Sequence, residues 1–151
     1  MAVRFTLDTN ILVYAADTRD VVRQAAAIEI VARAARRDCV LVPQVLAEFF
    51  HAVTRKRIMS RTEAAREVRA WMTIFPLTAG PTAASLRTAL EEAEAGRFQF
   101  FDALLVATAR DGGCGAIITE DMAGQALLDG VRITPAFSDT GVSEAALALL
   151  A

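Results

Sequence analysis

Asp8, Glu48, Asp102 and Asp121 are acidic side chains that stand beside apolar segments of the chain. Asp8 and Asp121 each follow a short apolar run that is typical of a buried strand. Asp102 lies at the start of a predicted helix, and Glu48 lies between large apolar neighbours in another. Burying an unpaired carboxylate is costly, so such a group shifts its pKa, pairs with a cation or binds a metal.

Each of these acids also has a local interpretation. Asp8 and Asp121 could be turn residues or helix N-caps, and Asp102 could cap the helix that it opens. Glu48 has no capping role in the middle of its helix. Taken together, the four could meet at one edge of a parallel sheet, because ligands of open α/β sheets bind outside the carboxyl ends of the strands.

A cluster of this kind favours metal chemistry. Two carboxylates about 4 Å apart repel by roughly 1 kcal/mol in water and by about 4 kcal/mol at an effective dielectric constant of 20. Three or four of them therefore favour a hard divalent cation, and ligands that are all oxygen indicate Mg²⁺ or Mn²⁺. Such an ion lowers the pKa of a bound water and supplies a nucleophile for hydrolysis.

The remaining pattern alternates short apolar runs with longer helical stretches. It predicts one domain over residues 1–151, an α/β fold built as a three-layer α/β/α sandwich with a short, mostly parallel central sheet. The predicted strands are residues 3–7, 39–42 and 116–119 with an edge strand around Ile133, and residues 75–77 are a weaker candidate. The predicted helices are residues 21–37, 44–56, 61–74, 81–94, 100–110 and 143–150.

Composition narrows the class of protein. The chain has 151 residues, is 54% hydrophobic and has a formal net charge of −2, which argues against generic electrostatic binding of nucleic acid but leaves room for a local basic patch at Arg55, Lys56 and Arg57. Neither a membrane span nor a secretion signal is predicted. Cys39 and Cys114 are too few for a disulfide scaffold, so we expect a cytoplasmic protein with both thiols buried.

Four segments of the sequence resemble the motifs of PIN-domain nucleases, in the same order and at similar spacing. They are LDTNIL at residues 7–12, QVLAEF at 44–49, FDALLVA at 101–107 and TEDM at 119–122. The order and the chain length are similar to those of the single-domain VapC-type toxins of bacterial and archaeal toxin–antitoxin pairs. The resemblance covers about residues 4–137.

This resemblance implies roles for individual residues. Asp8 and Asp102 would be the principal metal ligands, and Glu48 and Asp121 would complete the cluster directly or through water. In the fourth motif the family pattern favours Asp121 over its neighbour Glu120. Three further residues would support the ligands as neighbouring hydroxyl or amide groups, namely Thr9, Asn10 and Thr119.

The resemblance also implies an activity and partners. The activity is a Mg²⁺- or Mn²⁺-dependent endoribonuclease that leaves a 5′ phosphate and arrests growth by cleaving RNA. The partners are the RNA substrate, a VapB-like antitoxin that blocks the site, and a second copy of the chain in a homodimer. A basic side chain of the antitoxin would enter the acidic pocket. The apolar part of the antitoxin would contact Phe49, Phe50 or Trp71.

Two other classes of function compete with a nuclease. A PIN-like module could bind RNA without cleaving it. An acid-rich phosphotransfer receiver or aspartate-nucleophile phosphatase is disfavoured, because a receiver needs a lysine late in the chain and Lys56 is the only lysine. The phosphatase would need a second acid two residues after Asp8, where the chain has Asn10.

Overall fold

The computed structural model describes residues 2–122 and 125–151, and its centre is a four-stranded sheet. The strands are β1 (Phe5–Leu7), β2 (Ala116–Thr119), β3 (Leu127–Leu128) and β4 (Val131–Pro135), in the order β1-β2-β4-β3. β2 is parallel to both β1 and β4, whereas β3 pairs antiparallel with β4 at the edge. β1 and β2 are buried along their whole length, as continuous apolar runs in parallel sheets are.

Helices cover the sheet and complete the predicted three-layer α/β/α sandwich. They are α1 (Thr9–Ala16), α2 (Val21–Ala34), α3 (Pro43–Arg55), α4 (Arg61–Ile74), α5 (Ala83–Glu94), α6 (Phe100–Asp111) and α7 (Glu144–Leu150). A small antiparallel pair, β5 (Phe137–Ser138) and β6 (Gly141–Val142), precedes α7. The prediction of the fold class is therefore confirmed. In the part of the chain that the structure describes, no helix is long and apolar enough to cross a membrane.

Local sequence explains where several of these helices begin and end. At the start of α4, Ser60 Oγ accepts a hydrogen bond from the Glu63 amide at 3.1 Å, and Glu63 Oε2 accepts one from the Ser60 amide at 3.1 Å. This reciprocal pair is a capping box. Gly96 has a φ of +73° just after α5, a left-handed conformation that glycine adopts without steric cost.

The structure corrects three of the predicted elements. The segment 39–42 is extended but forms only isolated bridges, Cys39 with Phe5 and Leu41 with Leu77, because Pro43 begins α3 immediately and leaves no length for a ladder. Residues 75–77 accordingly form a bridge and no strand. The strand containing Ile133 is not at the edge, since the short β3 pairs with its outer side.

Candidate active site

The carboxyl ends of β1 and β2 lie side by side and bring two of the sequence motifs together. Leu7 is in register with Ile118, and the Asp8 amide donates to the Ile118 carbonyl at 3.0 Å. Asp8 therefore stands next to Thr119, and Asp121 follows two residues later. Glu48 from α3 and Asp102 from α6 line the same pocket of about 430 Å³ as these two acids. The structure thus brings all four predicted carboxylates to one pocket.

Asp8 combines a structural role with a place in the pocket. Its side chain is 5% exposed, and Oδ1 caps α1 by accepting a hydrogen bond from the Thr9 amide at 2.7 Å. The capping interpretation is therefore correct for this residue. Its other oxygen, Oδ2, accepts a hydrogen bond from Thr119 Oγ1 at 2.6 Å.

Burial raises the pKa of Asp8 to about 6, even though the hydrogen bonds from Thr119 and Thr9 oppose the shift. The negative charges of Asp102 and Asp121 raise it further. Asp8 therefore interacts electrostatically with acids from two other motifs. An incoming cation would relieve both the burial cost and the repulsion.

Asp102 does not cap α6. Gln99 occupies the N-cap position of that helix without a side-chain bond, and Asp102 is the third helical residue. Desolvation raises the pKa of the half-buried Asp102, and the charges of Asp121 and Glu48 raise it further. Its carboxylate therefore faces other acids, and the capping alternative has no support in the structure.

Glu48 is oriented by two donors. Gln44 Nε2 donates to Glu48 Oε1 at 2.6 Å, and Thr9 Oγ1 donates to Glu48 Oε2 at 2.9 Å. The first donor lies one helical turn before Glu48 on the same face of α3. Gln44 was not singled out from the sequence, although the spacing of four residues from an acid in an apolar segment was the available signal.

Asn10 joins the ends of the two strands. Its Nδ2 donates to Asp121 Oδ2 at 3.1 Å, and its Oδ1 accepts a hydrogen bond from the Glu120 amide at 3.3 Å. Thr119 Oγ1 in turn accepts one from the Asp121 amide at 3.0 Å. Asn10 and Thr119 thus position the loop that carries Asp121.

Glu120 lines the same pocket but has different partners. Tyr14 donates its hydroxyl to Glu120 Oε1 at 2.8 Å, and Arg23 Nε lies 3.4 Å from Glu120 Oε2. The hydrogen bond to Glu120 is the main reason why the pKa of Tyr14 rises to about 12. Because Arg23 offsets the charge of Glu120, the geometry favours Asp121 as the free acid of this motif. Tyr14 lies one helical turn after Asn10, and this spacing was the only sequence signal for it.

The donor set suits a hard divalent cation, but the side chains are not drawn together around one. Within residues 2–122 and 125–151, no three His, Cys, Asp or Glu side chains are close enough to hold a metal ion in their present positions. The four acids supply only oxygen ligands, which Mg²⁺ and Mn²⁺ prefer, and rotation of side chains would be needed to close the site.

The raised pKa of Asp8 predicts how stability depends on pH. An acid whose pKa is higher in the folded protein stabilises it below its ordinary pKa of 3.8, and this contribution is lost as the pH rises through about 6. We expect the metal-free protein to lose on the order of 3 kcal/mol from this group across that range. Urea unfolding of the wild type and of Asp8→Asn at several pH values measures this loss. The variant has no carboxyl at position 8, so its free energy of unfolding should lack the part of the pH dependence that comes from Asp8. Equal pH dependence in both proteins would contradict the assignment.

The fold and its acidic edge define a three-layer α/β/α domain with a carboxylate pocket at the ends of parallel strands. The chain belongs to the PIN domain family, whose sequence model matches residues 5–148. No curated protein matches the chain in sequence.

Three solved structures share this fold at low sequence identity. Mycobacterium tuberculosis VapC20, a toxin that cleaves the sarcin-ricin loop, is 20% identical with a TM-score of 0.63, covering 85% of this chain and 98% of its own. A chain of Rickettsia felis VapBC2, bound to a promoter DNA fragment, is 17% identical with a TM-score of 0.60 over 87% and 97% of the two chains. A chain of DNA-bound VapBC from Salmonella typhimurium is 16% identical with a TM-score of 0.64 over 88% and 98%.

Proposed function

We propose that this protein is a metal-dependent endoribonuclease and the toxin of a VapBC-type toxin–antitoxin pair, acting in the cytoplasm. The observation that carries the proposal is the convergence of Asp8, Glu48, Asp102 and Asp121 on one pocket of a PIN domain. Its similarity to VapC and VapBC structures supports the toxin role.

In this proposal each residue has a defined task. Asp8 and Asp102 would hold Mg²⁺ or Mn²⁺, and Glu48 and Asp121 would complete the cluster directly or through water. When bound, the ion activates water for in-line attack on phosphorus and offsets the charge that develops on the phosphate. Hydrogen bonds orient three of the four carboxylates before substrate arrives: Thr9 and Gln44 donate to Glu48, Thr119 donates to Asp8, and Asn10 donates to Asp121.

The direct test of function is an RNA-cleavage assay. We expect the purified protein to cut single-stranded RNA internally in the presence of Mg²⁺ and to leave 5′ phosphates, which ligation to an adaptor detects. A protein that binds the same RNA but leaves it intact would favour the non-catalytic RNA-binding alternative.

The metal site predicts a thermal shift. Mg²⁺ or Mn²⁺ should raise the melting temperature of the wild type by mass action, because the ion binds only the folded protein. Asp102→Asn removes one repelling charge, so it should melt at a higher temperature than the metal-free wild type and respond less to the ion. Differential scanning fluorimetry with and without EDTA measures both effects. A metal-free Asp102→Asn protein that melts below the wild type would show that the carboxylate stabilises α6.

A VapB-like antitoxin is the proposed protein partner. A second pocket of about 410 Å³ lies between α1, α2 and α4 and has mainly apolar walls, formed by Ala15, Ala16, Ile28, Val31, Ala32, Met59, Glu67 and Trp71. It could receive the apolar part of the antitoxin, with Trp71 in its wall. Phe49 is fully buried against Trp71, with ring centroids 4.6 Å apart, so the prediction that it contacts the antitoxin is wrong.

Homodimerisation stays a prediction. Phe101 is 64% exposed and directly precedes Asp102, which leaves a large apolar side chain open to a second copy next to the acidic pocket. Phe50 is also accessible, at 36% exposure. Size-exclusion chromatography with light scattering tests the assembly, and Phe101→Ser should weaken it if this side chain is in the interface.

A further inference from the structure

The acidic pocket is one half of a longer groove. A second recess of about 500 Å³ lies against it, and the two recesses share Asp102, Glu120 and Asp121 in their walls. Since the same side chains line both, the recesses adjoin each other at these acids, and we treat the two together as one groove. We call it the acidic groove.

A basic side chain stands in the wall on each side of the shared acids. Lys56 lines the first recess and Arg97 lines the second. Lys56 is the exposed C-cap residue of α3 and, among the described residues, makes no ion pair. Arg97 lies in the loop between α5 and α6, where its guanidinium contacts both carboxylate oxygens of Glu92 at 2.8 and 3.1 Å.

A strand of RNA that crosses this groove needs both cations. The acids repel every phosphate, and a metal ion at the centre offsets this repulsion only for the phosphate that reacts. The phosphates before and after it must be bound by the protein, and lysine and arginine are the side chains that do so. The chain has a net charge of −2, so no general positive field can replace these two local contacts.

We propose that single-stranded RNA lies along the acidic groove, with Lys56 and Arg97 binding backbone phosphates on opposite sides of the phosphate that is cleaved. This inference rests on the proposed nuclease function and adds the path of the substrate to it. The two residues bind RNA without regard to base, because phosphate contacts carry no sequence information.

The ion pair between Arg97 and Glu92 provides an additional test of the proposal. The Arg97 side chain is 56% exposed, whereas the Glu92 side chain is 18% exposed, so a phosphate can reach the guanidinium from solvent and compete with the Glu92 carboxylate for it. Neutralising Glu92 should therefore free Arg97 and tighten RNA binding. If the gain comes through Arg97, it should vanish when Arg97 is replaced by alanine, which a double-mutant cycle of Glu92→Gln and Arg97→Ala measures.

The experiment compares Lys56→Ala and Arg97→Ala with Arg36→Ala. Arg36 is also an exposed cation and lies just after α2, two residues before Asp38. The Asp38 carbonyl oxygen accepts a hydrogen bond from the amide of Phe5, the first residue of β1, so this segment lies at the opposite end of the strand from the acids. Binding of a fluorescent single-stranded RNA pool of mixed sequence is followed by anisotropy in the Asp8→Asn background, which should not cleave the probe, at several KCl concentrations. Cleavage kinetics are measured separately in the otherwise wild-type chain, and melting curves check that each variant is folded.

We expect Lys56→Ala and Arg97→Ala each to weaken binding by roughly five- to tenfold and to reduce the salt dependence of log Kd by about 0.7, the value for one lost phosphate contact on a single strand. KM should rise with little change in kcat, and Arg36→Ala should match its parent.

Binding and a salt slope equal to those of Arg36→Ala would overturn the inference, as would tightening by Glu92→Gln that persists without Arg97. Failure of the proposed function would give a different result. The wild type would then cleave no RNA, irrespective of how tightly the variants bind it.

Discussion

Asp8→Asn should abolish metal-dependent RNA cleavage while leaving the fold intact. The amide keeps the shape of the side chain but removes the charge that would hold the ion, and enzymes that lose a metal ligand lose the activation of water that depends on it. Asparagine is also a good N-cap residue, so it can still accept the hydrogen bond from the Thr9 amide that begins α1. Single-turnover cleavage of labelled RNA under Mg²⁺ measures the loss, and circular dichroism checks the fold.

Asp111→Asn is the matched control for this substitution. Asp111 is an exposed aspartate at the C-terminal end of α6, and it does not line the acidic pocket. The same change of charge at this position should leave cleavage unchanged. If Asp8→Asn turned over RNA at the wild-type rate, the assignment of the site would be wrong.

Replacing one basic residue of the antitoxin should release the toxin from inhibition. The pocket collects several carboxylates; burial raises the pKa of Asp8 to about 6, and the charges that act on it, those of Asp102 and Asp121, are negative. A guanidinium offers paired donors that match carboxylates, so we expect an antitoxin arginine to enter the pocket and exclude the metal. In a desolvated pocket this contact should contribute about 2 kcal/mol or more, which corresponds to roughly 30-fold in affinity.

An alanine scan of the antitoxin's basic residues tests this expectation when inhibition and affinity are read separately. The expected result is one residue whose replacement restores cleavage, while contacts in the apolar pocket near Trp71 keep part of the affinity. Full inhibition by every basic-to-alanine antitoxin would show that steric cover alone blocks the site.

The site was predictable because its acidic side chains stand among apolar neighbours in the sequence. Glu48 beside Phe49 has no capping role in the middle of its helix, Asp102 follows two phenylalanines, and parallel strands bring Asp8 and Asp121 to one edge. The main elements were predictable for a related reason, since β2 and the capped helix α4 have strong local signals. Residues 39–42 show where such local signals fail. A short apolar run predicts a strand whether or not the fold supplies a partner strand, and this segment forms only isolated bridges.

The parts that the sequence did not predict depend on tertiary contacts. α1 was missed because Asp8, Thr9 and Asn10 read as the end of a strand and a turn, whereas Asp8 in fact caps a helix. The partners of Glu120 come from α1 and α2, more than ninety positions away in the chain, so no local pattern contains them. Arg97 acquires its place beside Asp102 and Asp121 only when α5 packs on α6.

The most direct test of the account is cleavage of RNA by one protein preparation that is stripped of metal and then reloaded. We predict that EDTA treatment and dialysis remove the activity, that Mg²⁺ or Mn²⁺ restores it, and that neither ion restores it in Asp8→Asn. Undiminished cleavage by the stripped wild type, or restoration of Asp8→Asn to the wild-type rate, would contradict the claim that the four carboxylates form a metal-dependent nuclease site.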